Sequence, residues 1–175
     1  MKKILLLLVV AALLTGSQAF AETMKIGAVD LLKALNESDT GKKAKTDLEF
    51  MIKSKQSSLD EKGKSIEKLK TELDKQASVL SSDARRAKEE ELEKMIRDYQ
   101  RQVADSQNEV KKKEGDLTGD ILKELREIIQ QIGTQEGYTL ILEGGDGQIL
   151  FAKKDIDLTE SVIKKYNQMK AKPKK

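Results

Sequence analysis

Apolar residues recur every seven positions along the middle of the chain. They run Ile52, Leu59, Ile66, Leu73 and Leu80, then, after a polar break, Leu92, Ile96, Tyr99, Val103, Val110 and Leu117. A seven-residue apolar period marks helices packed along a narrow seam. Between the stripes, Ser81-Ser82-Asp83 supplies residues that stop one helix and cap the next. The pattern predicts a hairpin of two antiparallel helices over 41–120, with its tip near 81–83. Roughly 40 residues of helix reach on the order of 60 Å, a long arm for a small protein.

Folding the stripes back about Ser82-Asp83 pairs Leu73 with Leu92, Leu69 with Ile96 and Ile66 with Tyr99, an apolar outer seam. Nearer the body Lys62 meets Val103, Leu59 meets Ser106, and Lys55 meets Val110, so the middle seam is half polar. At the root Leu48 meets Leu117. A mixed layer forgoes much of the roughly 1.5–3 kcal/mol that burying a Leu or Ile provides. Gly63 lies in that zone, with Gly115 and Gly119 toward the root, and a helical Gly costs about 1 kcal/mol relative to Ala. These three are the candidate hinge, and an arm that gives in its middle is the expectation. Phe50 and Met51, apolar residues near the arm's base, are candidate contacts for a bound chain.

The flanks predict a body made of 22–40 and 121–169. Residues Lys25 to Asp30 read as a short strand, and Leu31, Leu32 and Leu35 begin a brief helix. Beyond Leu117 the apolar stripe widens through Ile121, Leu125, Ile128 and Ile132, where a helix leaves the arm for a core, and Gly133 is the expected C-cap. Residues 138–143 and 148–152, joined by Gly144-Gly145-Asp146-Gly147, predict a β-hairpin. Asp157-Leu158-Thr159-Glu160 resembles a capping box and opens a last helix with Val162, Ile163, Tyr166 and Met169 inward. The basic stretch 170–175 is expected to be disordered. Three short strands leave exposed edges, which aggregate unless covered or closed. The economical arrangement is a sheet or barrel shared between copies, with Ile26, Ala28, Val29, Leu140, Ile141, Leu142, Ile149, Leu150 and Phe151 in the oligomer core. The copy number is open at this point.

Composition narrows the chemistry. Residues 1–21 have the form of a signal peptide, with Lys2-Lys3, an apolar run from Ile4 to Leu14, and Ala19-Phe20-Ala21 at the cleavage site. No cysteine follows Ala21, so a lipid anchor is not expected. The export signal implies a bacterial envelope. The chain has no Cys and no His, which removes disulfides, the common zinc sites, and Cys- or His-based nucleophilic mechanisms. No cofactor, metal or catalytic residue is assigned, and an enzyme is not expected. Charged residues make up 36% and aromatics 3%, a composition suited to long helices rather than one large core. Without Lys2 and Lys3 the net charge falls from +3 to +1, with 31 basic residues against 30 acidic. The charges are mixed, with no concentrated basic face for nucleic acid. From Asp60 to Asp105 there are 11 basic and 12 acidic residues, so the outer arm is near neutral. Arg85, Arg86 and Lys88 at its tip allow at most a weak contact with anionic lipid head groups.

Three sets of residues, in order and spacing, resemble the Skp/OmpH family of periplasmic chaperones. The first is Ile26-Gly27-Ala28-Val29-Asp30 with Lys33 to Ser38 and Gly41 to Ala44. The second is the tip, Leu80 to Arg86, followed by Lys88 to Leu92. The third is Tyr138 to Leu142, Ile149 to Ala152 and Asp155 to Thr159. The resemblance spans essentially the whole chain after the signal peptide. It implies an α+β homotrimer with a small β-barrel body and long antiparallel coiled-coil arms enclosing a cavity. It also implies ATP-independent holding of unfolded outer-membrane proteins in the periplasm. Family members carry strongly basic arms and this outer arm does not, so apolar contacts such as Phe50 and Met51 are expected to matter more. The rival expectation is an envelope scaffold or tether that docks one folded partner.

Overall fold

The computed structural model describes residues 24–145 and 149–172. The expected signal peptide, the turn residues Asp146 to Gln148 and the end of the basic tail lie outside them. The elements run β1 (Ile26–Val29), α1 (Leu31–Glu37), α2 (Asp39–Gln76), α3 (Ser82–Glu136), β2 (Leu140–Glu143), a 3-10 turn (Lys154–Ile156) and α4 (Thr159–Ala171). Long helices dominate, and the strands form one small pair.

The arm is the α2–α3 hairpin. Helix α2 has 38 residues and α3 has 55, or about 57 and 80 Å. Only Ser38 separates α1 from α2. Its backbone is extended, its N–H donates to the Ala34 carbonyl, and its hydroxyl accepts from the Gly41 N–H. A Cβ at Gly41 would sit 1.7 Å from the Leu35 carbonyl oxygen, so this elbow requires glycine. At the tip, α2 ends at Gln76, four residues before the apolar stripe does. Val79 and Leu80 then lie in a turn, and Ser81 caps α3 by accepting from the Ala84 N–H. Leu80 continues the spacing but lies beyond the end of α2, half-buried in the turn.

The core lies where α3 passes the arm's root. Ile121, Leu125, Ile128 and Ile132 of α3 pack with Val29, Leu31, Ala34, Leu158, Val162, Ile163 and Tyr166. Met169, expected inward, is 40% exposed on the last turn of α4, and Lys170 and Ala171, expected to begin a disordered tail, complete that helix because Lys170 pairs with Glu124. Helix α3 continues past Gly133 to Glu136, and the C-cap is Gly137, whose φ of 70° is the left-handed conformation that ends helices. Its N–H and that of Tyr138 both reach the Gly133 carbonyl.

That reversal sends the chain back alongside β1. The two strands pair in parallel, Ile26 opposite Leu140 through Val29 opposite Glu143. The expected 138–143/148–152 hairpin is therefore replaced by pairing across more than a hundred residues. Ile149 to Ala152 form no strand. The far edge of β1 is taken instead by an isolated bridge from Ala28 to Asp157, where the Leu158 N–H donates to the Ala28 carbonyl. β-propensity without a ladder partner does not make a strand. The expected capping box is half formed: the Asp157 carboxylate accepts from the Thr159 N–H and hydroxyl, whereas Glu160 turns to Lys33.

Candidate functional site: the arm, its root and the open strand pair

Along the arm beyond its elbow the buried residues are Leu59 and Ser106, 9% and 6% exposed, in the middle zone expected to be weakest. Ser106 is small enough to let the helices approach, so a layer that is half polar in sequence is closed in space. Three polar links cross the seam: Lys55 to Glu109, Gln102 to the Ser58 hydroxyl at 3.0 Å, and Lys88 to Glu72 at 3.9 Å. The outer seam is more open than expected. Ile66, Leu69, Leu73, Leu92 and Tyr99 are half-buried, and Ile96 is exposed, as is Ile52 toward the root. A groove of about 440 Å³ opens between the helices, lined by Ile52, Leu59, Tyr99, Val103 and Val110 among others.

Outward on α2, Phe50 is 75% exposed and Met51 half-buried. Val79 at the tip, which the apolar period did not single out, is 80% exposed. Gly63, Gly115 and Gly119 lie within unbroken helix, and a Cβ at any of them would meet no atom within 4 Å. Some of the arm's charges pair along its surface. Arg85 meets Glu89 at 2.8 Å, and Arg86 meets Glu90 at 3.8 Å. Exposed pairs of this kind contribute roughly 0–1 kcal/mol each, so they solubilise the arm more than they hold it.

In the body, the predicted oligomer-core residues divide between two environments. Val29 is buried in the chain's own core, Ala28 is covered, and Ile141 packs against that core. Ile26, Leu140 and Leu142 are 37%, 46% and 43% exposed. In the strand register these three share one face. Phe151 and Leu150, beyond that face in sequence, are 83% and 97% exposed, and Ile149 is half-buried. One edge of β2 has no ladder partner among the described residues.

At the arm's root, helix α4 contributes a polar cluster that the sequence did not reveal. The Tyr166 hydroxyl donates to Glu124 of α3 at 2.5 Å, and Lys170 reaches the other Glu124 oxygen at 2.5 Å. Burial, reinforced by the Glu124 hydrogen bond, holds the Tyr166 pKa well above the usual tyrosine range. The Asn167 side chain accepts from the backbone N–H of Asp39, 128 positions away. Lys33 is raised by its hydrogen bond to Glu160, and Asp157 is lowered by those from Thr159. These are structural ties. Among the described residues no cluster of His, Cys, Asp or Glu could hold a metal ion, and no helix is long and apolar enough to cross a membrane.

Comparison with known proteins matches this architecture. The family model described as outer membrane protein (OmpH-like) covers residues 25–166. A protein of Aquifex aeolicus (strain VF5) of uncharacterized function is 26% identical over 157 residues, 90% of this chain and 94% of that protein. A solved OmpH-like structure from Caulobacter crescentus CB15 superposes with a TM-score of 0.79 at 19% identity. It covers 88% of this chain and 89% of the other.

Proposed function

This chain belongs to the OmpH-like outer membrane protein family, and from that premise we propose that it is an envelope chaperone. It holds unfolded outer-membrane proteins without ATP. The observation that carries the reading is the arm itself: a helical hairpin with apolar side chains left in solvent, Phe50 and Val79 among them, and an open groove between its helices. Many weak apolar contacts suit reversible, sequence-tolerant holding. The Caulobacter relative, named as a candidate outer membrane chaperone, agrees with this.

Residues 1–21 are removed on export and the protein works in the periplasm. Residues 22–40 and 121–171 form the body, 41–120 the arm, and the residues after Ala171 a tail. Three chains share the body, joined through Ile26, Leu140, Leu142 and the 149–151 segment, and their arms enclose the client. Gly63, Gly115 and Gly119 have no packing reason to be glycine and are the points of compliance. Contact with lipid head groups is at most weak, because the tip arginines are already paired with Glu89 and Glu90.

The test is light scattering of a urea-denatured porin diluted into nucleotide-free buffer. The protein should suppress aggregation, and Phe50→Ser with Met51→Ser should weaken suppression while leaving the circular dichroism spectrum unchanged. If the porin aggregates as fast with the protein as without it, the holdase reading fails and a scaffold for a folded partner gains.

A further inference from the structure

We infer that the last turns of α4 form a latch that fixes the angle between the arm and the body. The elbow between α1 and α2 is one extended residue, Ser38, so rotation there would swing the whole of α2. A helix begins with backbone N–H groups that lack intrahelical partners. In α2 the Gly41 N–H is satisfied locally by the Ser38 hydroxyl, whereas the Asp39 N–H is satisfied by Asn167 of α4 at 3.0 Å. Asn167 thus acts as a second, remote N-cap.

Its neighbour Tyr166 faces both arm helices and bonds one of them. The Tyr166 hydroxyl donates to Glu124 in α3, and the Thr40 side chain in the first turn of α2 lies beside it. Lys170, one turn further on, holds the other oxygen of Glu124. The Tyr166 ring is fully buried in the core, so the fork is anchored in the body. Helix α3 runs unbroken from the arm into the body and keeps its direction by its own hydrogen bonds. Helix α2 has no such continuity, and α4 supplies it.

The space beside the elbow makes the latch consequential. A cavity of about 370 Å³ lies at the root between α2 and α3, lined by Leu35, Ala44, Leu48, Leu117 and Ile121 among others. Ala44 of α2 packs against the core beside this opening, and the polar ties from α4 add a directional hold on α2. The inference stands on root geometry and is independent of what the arm binds.

The test uses the whole chain, which has no cysteine of its own. Spin labels at Lys64→Cys on α2 and Glu127→Cys on α3 report the arm–body distance, with labelled chains diluted in unlabelled protein. Tyr166→Phe, which keeps the ring, and Asn167→Ala should each broaden the distance distribution. Asn167→Ala should also speed exchange of the Asp39 amide roughly fivefold, as expected for the loss of one hydrogen bond. Lys165→Ala, which removes only a link from α4 to Gln135 of α3, should leave the distribution unchanged. Exchange at Val162 and Ile163 reports whether α4 stays docked. If Tyr166→Phe undocks it, Asn167→Ala decides alone. Distributions as narrow as wild type with α4 docked overturn the latch, as does equal broadening by Lys165→Ala.

Discussion

Glycines in this chain divide by what a methyl group would meet. At Gly41 a Cβ would lie 1.7 Å from a backbone carbonyl oxygen, which cannot move without unwinding α1. At Gly27 the nearest obstacle is the tip of the Leu158 side chain at 2.5 Å, which can shift. At Gly63 there is no obstacle. Three alanine substitutions should therefore differ in sign as well as size. Gly63→Ala should stabilise by about 1 kcal/mol through helix propensity. Gly27→Ala should destabilise by about 1 kcal/mol, at the low end of overpacking, and Gly41→Ala by about 3 kcal/mol or more. Urea unfolding followed by circular dichroism measures all three. A Gly41→Ala protein as stable as wild type would show that the elbow is looser than its geometry.

Packing within the arm follows residue volume more than polarity. The layer of Leu59 and Ser106 is the tightest although one member is polar, because a serine lets two backbones come close. The apolar Ile96 stays 38% exposed. Leu59→Ala should then destabilise the arm by about 3 kcal/mol and Ile96→Ala by about 1 kcal/mol. Hydrogen exchange of α3 amides between residues 100 and 110 reads both, and equal effects would sink the volume argument. The same contrast explains what was legible in the sequence. The seven-residue period located the two arm helices, and the widening at Ile121 to Ile132 located the core, because both are repeated local signals. The hairpin expected at 138–152 failed because β2 took the edge of β1, a partner more than a hundred residues away. The root cluster of Asp39, Glu124, Tyr166 and Asn167 was invisible for the same reason. Each member reads alone as an ordinary helix residue, and only the fold brings them together.

At the scale of the whole molecule, the strand pair leaves apolar surface open. A two-stranded sheet is marginal by itself in water. This one presents Ile26, Leu140 and Leu142 on one face, and the nearby Leu150 and Phe151 are almost wholly exposed. Apolar residues clustered in this way mark an interaction surface. Phe50 and Val79 stand on the arm rather than on the strands, and the proposed chaperone role assigns them to clients and not to self-association. The two groups should therefore separate by mutation. Leu140→Asp and Phe151→Asp should lower the solution mass toward that of one chain, whereas Phe50→Asp should leave the mass unchanged and weaken holding. Assembly should also make stability depend on concentration. For three chains folding together, a tenfold rise in chain concentration adds about 1 kcal/mol per chain to the apparent stability. Thermal melts across a hundredfold range, paired with light-scattering mass, measure this directly. A melting point independent of concentration, or an oligomer that survives both aspartate substitutions, would mean that the body closes by some other surface.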